Sequence, residues 1–193
     1  MSKRLTTAAL SIMLVSMAIA NVLLIRQNIQ MRRVIEKFQP GRLSVGNKVP
    51  SFSAPELNGG RVEIDYNGSG PKRILFFFTP TCPYCRQQFP YWREILERAR
   101  NDQFEEIGLV DEDEDRGRVQ EYLRAMGCST DARAALRVAF IPKGVRQSYK
   151  LSETPITLLV NNDGTVEKAW AGKWSEADAT AAGTTFGFNF TLR

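Results

Sequence analysis

Hydrophobic and polar positions change period several times along the chain. Leu5 to Ile25 run 21 positions without a charge, "LTTAALSIMLVSMAIANVLLI". Val62, Ile64 and Tyr66 alternate with polar neighbours, the period of a half-buried strand. Arg73-Ile-Leu-Phe-Phe-Phe78 is a short continuous apolar run, which predicts a strand covered on both faces. Arg86 to Arg100 reads as a helix rich in Arg, Glu and Gln, with Pro90 expected to kink it. Phe104 to Val110 is the next strand. The acidic run Asp111 to Asp115 opens a helix ending near Gly127; acids suit the positive end of a helix, so capping is preferred to a calcium site. Cys128 to Leu151 has no clear period. Ile156 to Val160 and Thr165 to Trp170 read as strands around the hairpin turn Asn161-Asn-Asp-Gly164, and Ser175 caps a final helix through about Ala182. Strands alternating with helices and closing on a hairpin predict an α/β fold, a central mixed β-sheet flanked by helices.

The first apolar run is long enough, at the helical rise, to cross a hydrocarbon core of about 30 Å. The small residues of Ala18-Ile-Ala20 also fit a signal-peptide cleavage site. The run continues through Val22-Leu-Leu-Ile25, beyond a usual signal core, so an uncleaved transmembrane anchor is preferred. The expected organisation is residues 1–25 as anchor or signal peptide, 26–42 as a stalk closed by Pro40-Gly41, and 43–193 as one folded domain. Flanking charge counts Lys3 and Arg4 before the run against Arg26, Arg32, Arg33 and Lys37 after it, which taken alone retains the domain in the cytoplasm. A short tail ahead of a large domain often translocates, and the cysteine pair suits an exported domain, so the extracytoplasmic side is expected.

Composition narrows the chemistry. The chain is 43% hydrophobic, enough for a sizeable core, and its net charge of +5 resides in the first forty residues. No basic patch interleaved with aromatics appears, which argues against nucleic acid as a partner. With no histidine and three cysteines, the chain lacks a Ser-His or Cys-His nucleophile and falls one ligand short of a four-ligand structural zinc site. Neither a metal nor a cofactor is expected.

The remaining candidate is "FFFTPTCPYC", where the apolar strand stops at Cys82-Pro83-Tyr84-Cys85. Such a pair is a redox centre, half of a metal site or a structural disulfide. Its placement favours the first. Cys82 falls where a strand turns into a helix, so unpaired N–H groups and the helix dipole stabilise a thiolate there. Cys85, one turn on, lies within reach to resolve a mixed disulfide.

These residues resemble the thioredoxin-like superfamily, and within it the membrane-anchored TlpA/ResA type and the MauD type of methylamine utilisation. "VGNKVPSFSAPELNGGRV" (Val45 to Val62) resembles the segment leading into their domain. "FFFTPTCPYC" resembles their active-site strand and turn, Pro90 their helix proline, and "SETPITLLVNNDGTVEKAWAG" (Ser152 to Gly172) their cis-proline strand, hairpin and final strand. The resemblance spans about Val45 to Ala182. It implies a thioredoxin-like fold and thiol-disulfide oxidoreductase activity on protein clients, with Cys82 attacking, Cys85 resolving, and Pro83 and Tyr84 tuning the potential. It implies a cis Thr154-Pro155 peptide whose Thr154 backbone holds an extended client. A membrane electron donor and a bilayer anchor belong to the same picture. A MauD-like protein would serve a cysteine-rich client, such as a methylamine dehydrogenase subunit.

The sequence also departs from the pattern. Thr81 replaces a tryptophan, Phe76 takes the place of a buried acid, and Gln88 stands where TlpA/ResA-type reductases often carry a glutamate serving the resolving cysteine. No general base for Cys85 is then visible. Cys128 reads as a buried filler, and Phe77, Phe78, Trp92, Trp170 and Trp174 as core or rim packing. Two other readings remain. Thr79-Pro-Thr-Cys82 resembles the Thr-x-x-Cys of peroxiredoxin-like thiol peroxidases, although Leu75 stands where their motif has proline. The third is a non-catalytic tethered binding module with a static disulfide.

Overall fold

Strand β3 (Lys72–Phe77) sets the frame of the domain, because its side chains are needed on both sides. The computed structural model describes residues 13–30, 43–99, 103–128 and 135–191. The chain divides into two units, Met1–Pro40 and Gly41–Arg193. In the first, residues 13–30 form helix α1, whose large apolar side chains, Met13, Leu14 and Leu24 among them, are exposed. Among the described residues no helix is long and apolar enough to cross a membrane. The physical reason is extent: residues 5–12 of the expected anchor lie outside the described residues, and α1 runs on into polar Arg26, Gln27 and Asn28. Most of the expected stalk, 31–42, also lies outside them.

In the second unit β1 (Phe52–Pro55) and β2 (Arg61–Ile64) form an antiparallel hairpin, Phe52 opposite Ile64. The main sheet joins β3 to β4 (Phe104–Asp111), β5 (Arg137–Ile141), β6 (Ile156–Val160) and β7 (Val166–Ala171) in the order β5-β4-β3-β6-β7. β4 and β5 run parallel along one flank of β3, whereas β6 and β7 are antiparallel on the other. The sheet is flanked by α2 (Pro83–Arg98), α3 (Arg116–Ala125), α4 (Lys143–Ser148) and α5 (Glu176–Phe186). This is the expected α/β mixed sheet with helical cover.

Side-chain alternation splits the core in two. Ile74, Phe76 and Phe78 join a cluster with Phe89, Trp92, Val119, Tyr122, Trp170 and Phe186, under α2, α3 and α5. Leu75 and Phe77 join the opposite cluster with Val62, Ile64, Ile107, Leu109 and Tyr149, under the hairpin and α4. Gly108 sits on the first face of β4 because a Cβ there would lie 3.0 Å from Val138 and 3.1 Å from Phe78. Trp92 donates its indole N–H to Thr157 at 2.8 Å, which pins α2 to β6 across the buried layer.

Several expected boundaries move. Tyr66 falls outside β2, and β1 was not anticipated. α3 starts only after Asp115, whose carboxylate accepts from the Arg118 N–H at 2.7 Å; the preceding acids form a turn instead of a first helical turn. The stretch from Cys128 to Leu151 holds β5 and α4, with 129–134 outside the described residues. α2 starts at Pro83 and runs through Pro90, which cannot donate to the Arg86 carbonyl, while the expected end at Arg100 lies outside the described residues. Ser175 and Asp178 form a complete capping box, and α5 extends beyond Ala182 to Phe186, closing at Gly187 in the left-handed region (φ 79°). The tail returns over α2: Thr191 donates its N–H and hydroxyl to the buried Glu94 carboxylate, and Arg98 lies 4.3 Å over Phe188.

Candidate active site

The site forms where β3 ends. Phe78 N–H donates to Leu109 O at 3.1 Å, the last ladder-like bond before the chain turns at Thr79-Pro80-Thr81. The turn closes with Cys82 N–H on Thr79 O at 3.1 Å. Cys82 is the N-cap of α2 in extended conformation (φ −78°, ψ 117°), and Pro83 follows at the first helical position, where a missing N–H costs nothing. The cap acceptor is the sulfur itself: Cys85 N–H donates to Cys82 Sγ at 3.4 Å. A helix start satisfied by sulfur stabilises negative charge on that atom.

The opposite wall is the loop before β6. Thr154-Pro155 is a cis peptide, and Thr154 O accepts the Cys82 thiol at 3.5 Å across 72 residues of chain. Pro155 is buried, and its carbonyl accepts from Gly172 N–H at 2.8 Å, so the β7–α5 connection braces the loop. All three cysteines are free thiols.

The two thiols of the pair are electrostatically unlike. Burial alone raises the Cys82 thiol, but hydrogen bonding from the Thr154 and Cys85 side chains and from the Cys85 and Tyr84 backbone outweighs it, and its pKa lies below the ordinary value. Cys85 is fully buried, and burial pushes it up to about 12 despite a hydrogen bond from the Thr79 backbone. The arrangement favours the thiolate form at Cys82 relative to Cys85, whose thiol burial keeps protonated.

The structure thus brings Cys82, Cys85, Thr154 and Pro155 together, with Pro83 and Tyr84 on the exposed rim and Tyr84 59% accessible. Three neighbours make contacts that were not legible in the sequence, because the elements that meet there are distant along the chain. The Thr79 hydroxyl donates to the Glu114 carboxylate and lies 3.2 Å from the Thr81 hydroxyl. Gln88 is fully buried and accepts from Trp174 N–H at 2.8 Å, a neutral group where an acid was the expected pattern. Tyr122 lies in the same apolar cluster as Cys85. Cys128 is buried beyond α3; its thiol donates to Met126 O at 3.7 Å, and burial holds it at about 11. Among the described residues no group of three or more Cys, Asp or Glu is placed to hold a metal ion.

Residues 45–186 match the AhpC/TSA family. The chain belongs to that family. Among curated proteins it is similar to the thiol-disulfide oxidoreductase ResA of Bacillus subtilis, 28% identical over 136 residues that cover 70% of this chain and 72% of the relative. Among solved structures it superposes on a Chlorobium tepidum protein assigned as the thiol:disulfide interchange protein DsbE, with a TM-score of 0.60 at 23% identity, covering 75% of this chain and 97% of that one. StoA from Bacillus subtilis gives a TM-score of 0.53 at 20% identity, covering 67% and 93%. The fold is therefore thioredoxin-like, and the chain is a thiol-disulfide oxidoreductase of the thioredoxin-like class.

Proposed function

We propose that Cys82 attacks client disulfides and Cys85 resolves the product, with Thr154 and Pro155 holding an extended client segment and Pro83 and Tyr84 setting the redox poise. The observation that carries this reading is the half-exposed Cys82 sulfur at the α2 N-cap, 3.5 Å from Thr154 O beside the cis peptide, with Cys85 buried behind it. In the reducing direction the Cys82 thiolate attacks one sulfur of the client disulfide, forms a mixed disulfide and expels a client thiolate. Cys85 loses its proton and attacks Cys82 Sγ, so the second client sulfur leaves as thiolate and takes up a proton. The client is reduced by two electrons and the pair is oxidised by two. The same steps reversed oxidise a client.

The charge-free run Leu5 to Ile25 supports a single-pass anchor in the cell membrane with the domain on the extracytoplasmic side, where disulfides persist. The exposed apolar side chains all round α1 fit the same reading, since such a helix needs lipid or protein cover. A membrane electron donor would then return the pair to its dithiol form. The clients are protein dithiols or disulfides, and maturation of a cysteine-rich partner is the role we favour. The thiol-peroxidase alternative shares the AhpC/TSA match; against it, the Thr79 hydroxyl is taken up by Glu114 and Thr81.

The test is a trap. Cys85→Ser, expressed in its own membrane, should accumulate mixed disulfides through Cys82 that dissolve on reduction and vanish in the Cys82→Ser, Cys85→Ser double variant. A Cys85→Ser protein that forms no adduct with any envelope extract would contradict the proposal.

A further inference from the structure

A polar group beside the cysteine pair lacks a partner. α3 turns Val119, Tyr122 and Leu123 to its buried side. The Tyr122 ring lies 5.5 Å from Phe78, stacked, and 5.3 Å from Phe89, edge-on. Phe78 is the residue ahead of the active-site turn, and Phe89 lies one helical turn beyond Cys85 on α2. The ring is therefore gripped by the two elements that carry the pair. Its hydroxyl is buried and has no hydrogen-bond partner among the described residues.

A buried hydroxyl without a partner works against folding, and phenylalanine would fill the same space without that penalty. Two groups nearby change charge during exchange: Cys82, which attacks as a thiolate, and Cys85, neutral in the reduced protein and anionic only in passing. The groups that act on the Tyr122 hydroxyl are Cys85, Cys82 and Arg86 from α2 and Cys128 from beyond α3; after burial, Cys85 is the strongest. Those that act on Cys85 are the Thr79 backbone, Cys82 and Thr154. Burial raises the phenol well above its ordinary value, so it keeps its proton and serves as a donor and not as a base.

We infer that the Tyr122 hydroxyl is the donor that receives the negative charge on Cys85 Sγ while the mixed disulfide is being resolved. The inference rests on the roles proposed for Cys82 and Cys85. Resolution begins when Cys85 gives up its proton, and the departing client thiolate takes one up. The new Cys85–Cys82 bond forms as the Cys82–client bond breaks. Tyr122 neither gains nor loses a proton; its hydroxyl, which makes no hydrogen bond to Cys85 at rest, shifts onto the transient thiolate and leaves it once the disulfide is made. In the oxidising direction Cys85 leaves as thiolate, and the same donor meets it.

The consequence is kinetic. Both resting states lack a Cys85 thiolate, one being a disulfide and the other a thiol, so the hydroxyl bears on rate and on Cys85 ionisation, and not on the equilibrium potential near neutral pH. The experiment uses the full-length protein and its Tyr122→Phe variant, mixed with dithiobis(nitrobenzoate). The first nitrothiolate released reports attack by Cys82, and the second, absent in Cys85→Ser, reports resolution by Cys85. The expected result is a resolution phase slowed roughly tenfold, the loss of one hydrogen bond to a charged group. Attack by Cys82 and the reduction potential stay unchanged, Cys85 alkylation needs higher pH, and the unfolding midpoint is equal or raised. Fluorotyrosine at position 122, a more acidic donor of the same shape, should speed resolution. An unchanged resolution phase in folded Tyr122→Phe overturns the inference, as does an unchanged rate with fluorotyrosine should Tyr122→Phe fail to fold. A slower phase accompanied by a lower unfolding midpoint and a shifted potential also overturns it, in favour of a packing role. A wild-type protein without a second phase overturns instead the resolving role of Cys85.

Discussion

The burial of Cys85 sets a difference in reactivity that alkylation can read. Burial takes this thiol from 9.0 to about 12. Three units leave about a thousandth of the thiolate that an unperturbed thiol would show at any pH below that range, and only the thiolate reacts. Cys82 is shifted the other way and is partly open to solvent. Reduced protein exposed to iodoacetamide near neutral pH should therefore be labelled at Cys82 while Cys85 lags by at least about a thousandfold. Cys128, held at about 11 by burial, should also lag. Peptide mass spectrometry over time gives the three rates separately. As pH rises toward 12, the Cys85 rate should climb about tenfold per unit. Labelling of Cys85 within tenfold of Cys82 at neutral pH would refute the assignment of buried reserve and exposed attacker.

Two further predictions concern stability. A thiol whose folded value stands above its unfolded one supports the folded state below the unfolded value and loses that support as pH rises through the folded one, so the reduced protein should lose urea resistance between 9.0 and about 12 through Cys85 and Cys128. Protein oxidised at Cys82–Cys85 should lose less, because the Cys85 share is gone while Cys128 and the buried Tyr66, Tyr122 and Tyr149 phenols act in both forms, and identical pH profiles for the two forms would contradict the Cys85 share. Gly183→Ala would bring a Cβ to 2.5 Å from Phe188 O, so it should destabilise by about 1–3 kcal/mol in urea melts and loosen the tail that Glu94 ties down; an unchanged midpoint would count against the close approach.

The centre of the fold was legible because its signals are local. A continuous apolar run can serve only as a strand packed on both faces, and β3 is that strand, with Phe76 on one side and Phe77 on the other. Ser175 and Asp178 carry a capping box within four residues. β5 was missed because its five residues earn strand geometry from pairing beside β4, Ala139 opposite Leu109, and its neighbour α4 is too short for a period to show. α5 was cut short because Thr180, Gly183, Thr184 and Thr185 are weak helix formers, held in place by the packing of Ala182 and Phe186. At the site, Cys82 and Cys85 announce themselves by spacing. The partners that shape them do not: Glu114 reaches Thr79 across 35 residues and Trp174 reaches Gln88 across 86, and no local pattern encodes such meetings.

Thiol-disulfide exchange at this site turns on one reversible bond, which a redox titration with mass readout follows residue by residue. The full-length protein would be equilibrated in glutathione buffers of graded poise, quenched by alkylation and mapped by peptide. The expected result is a single two-electron transition in which Cys82 and Cys85 gain and lose the alkylating group together, while Cys128 stays a thiol throughout. A pair that never cycles across the range, or a Cys82 that accumulates sulfenic acid without joining Cys85, would contradict it.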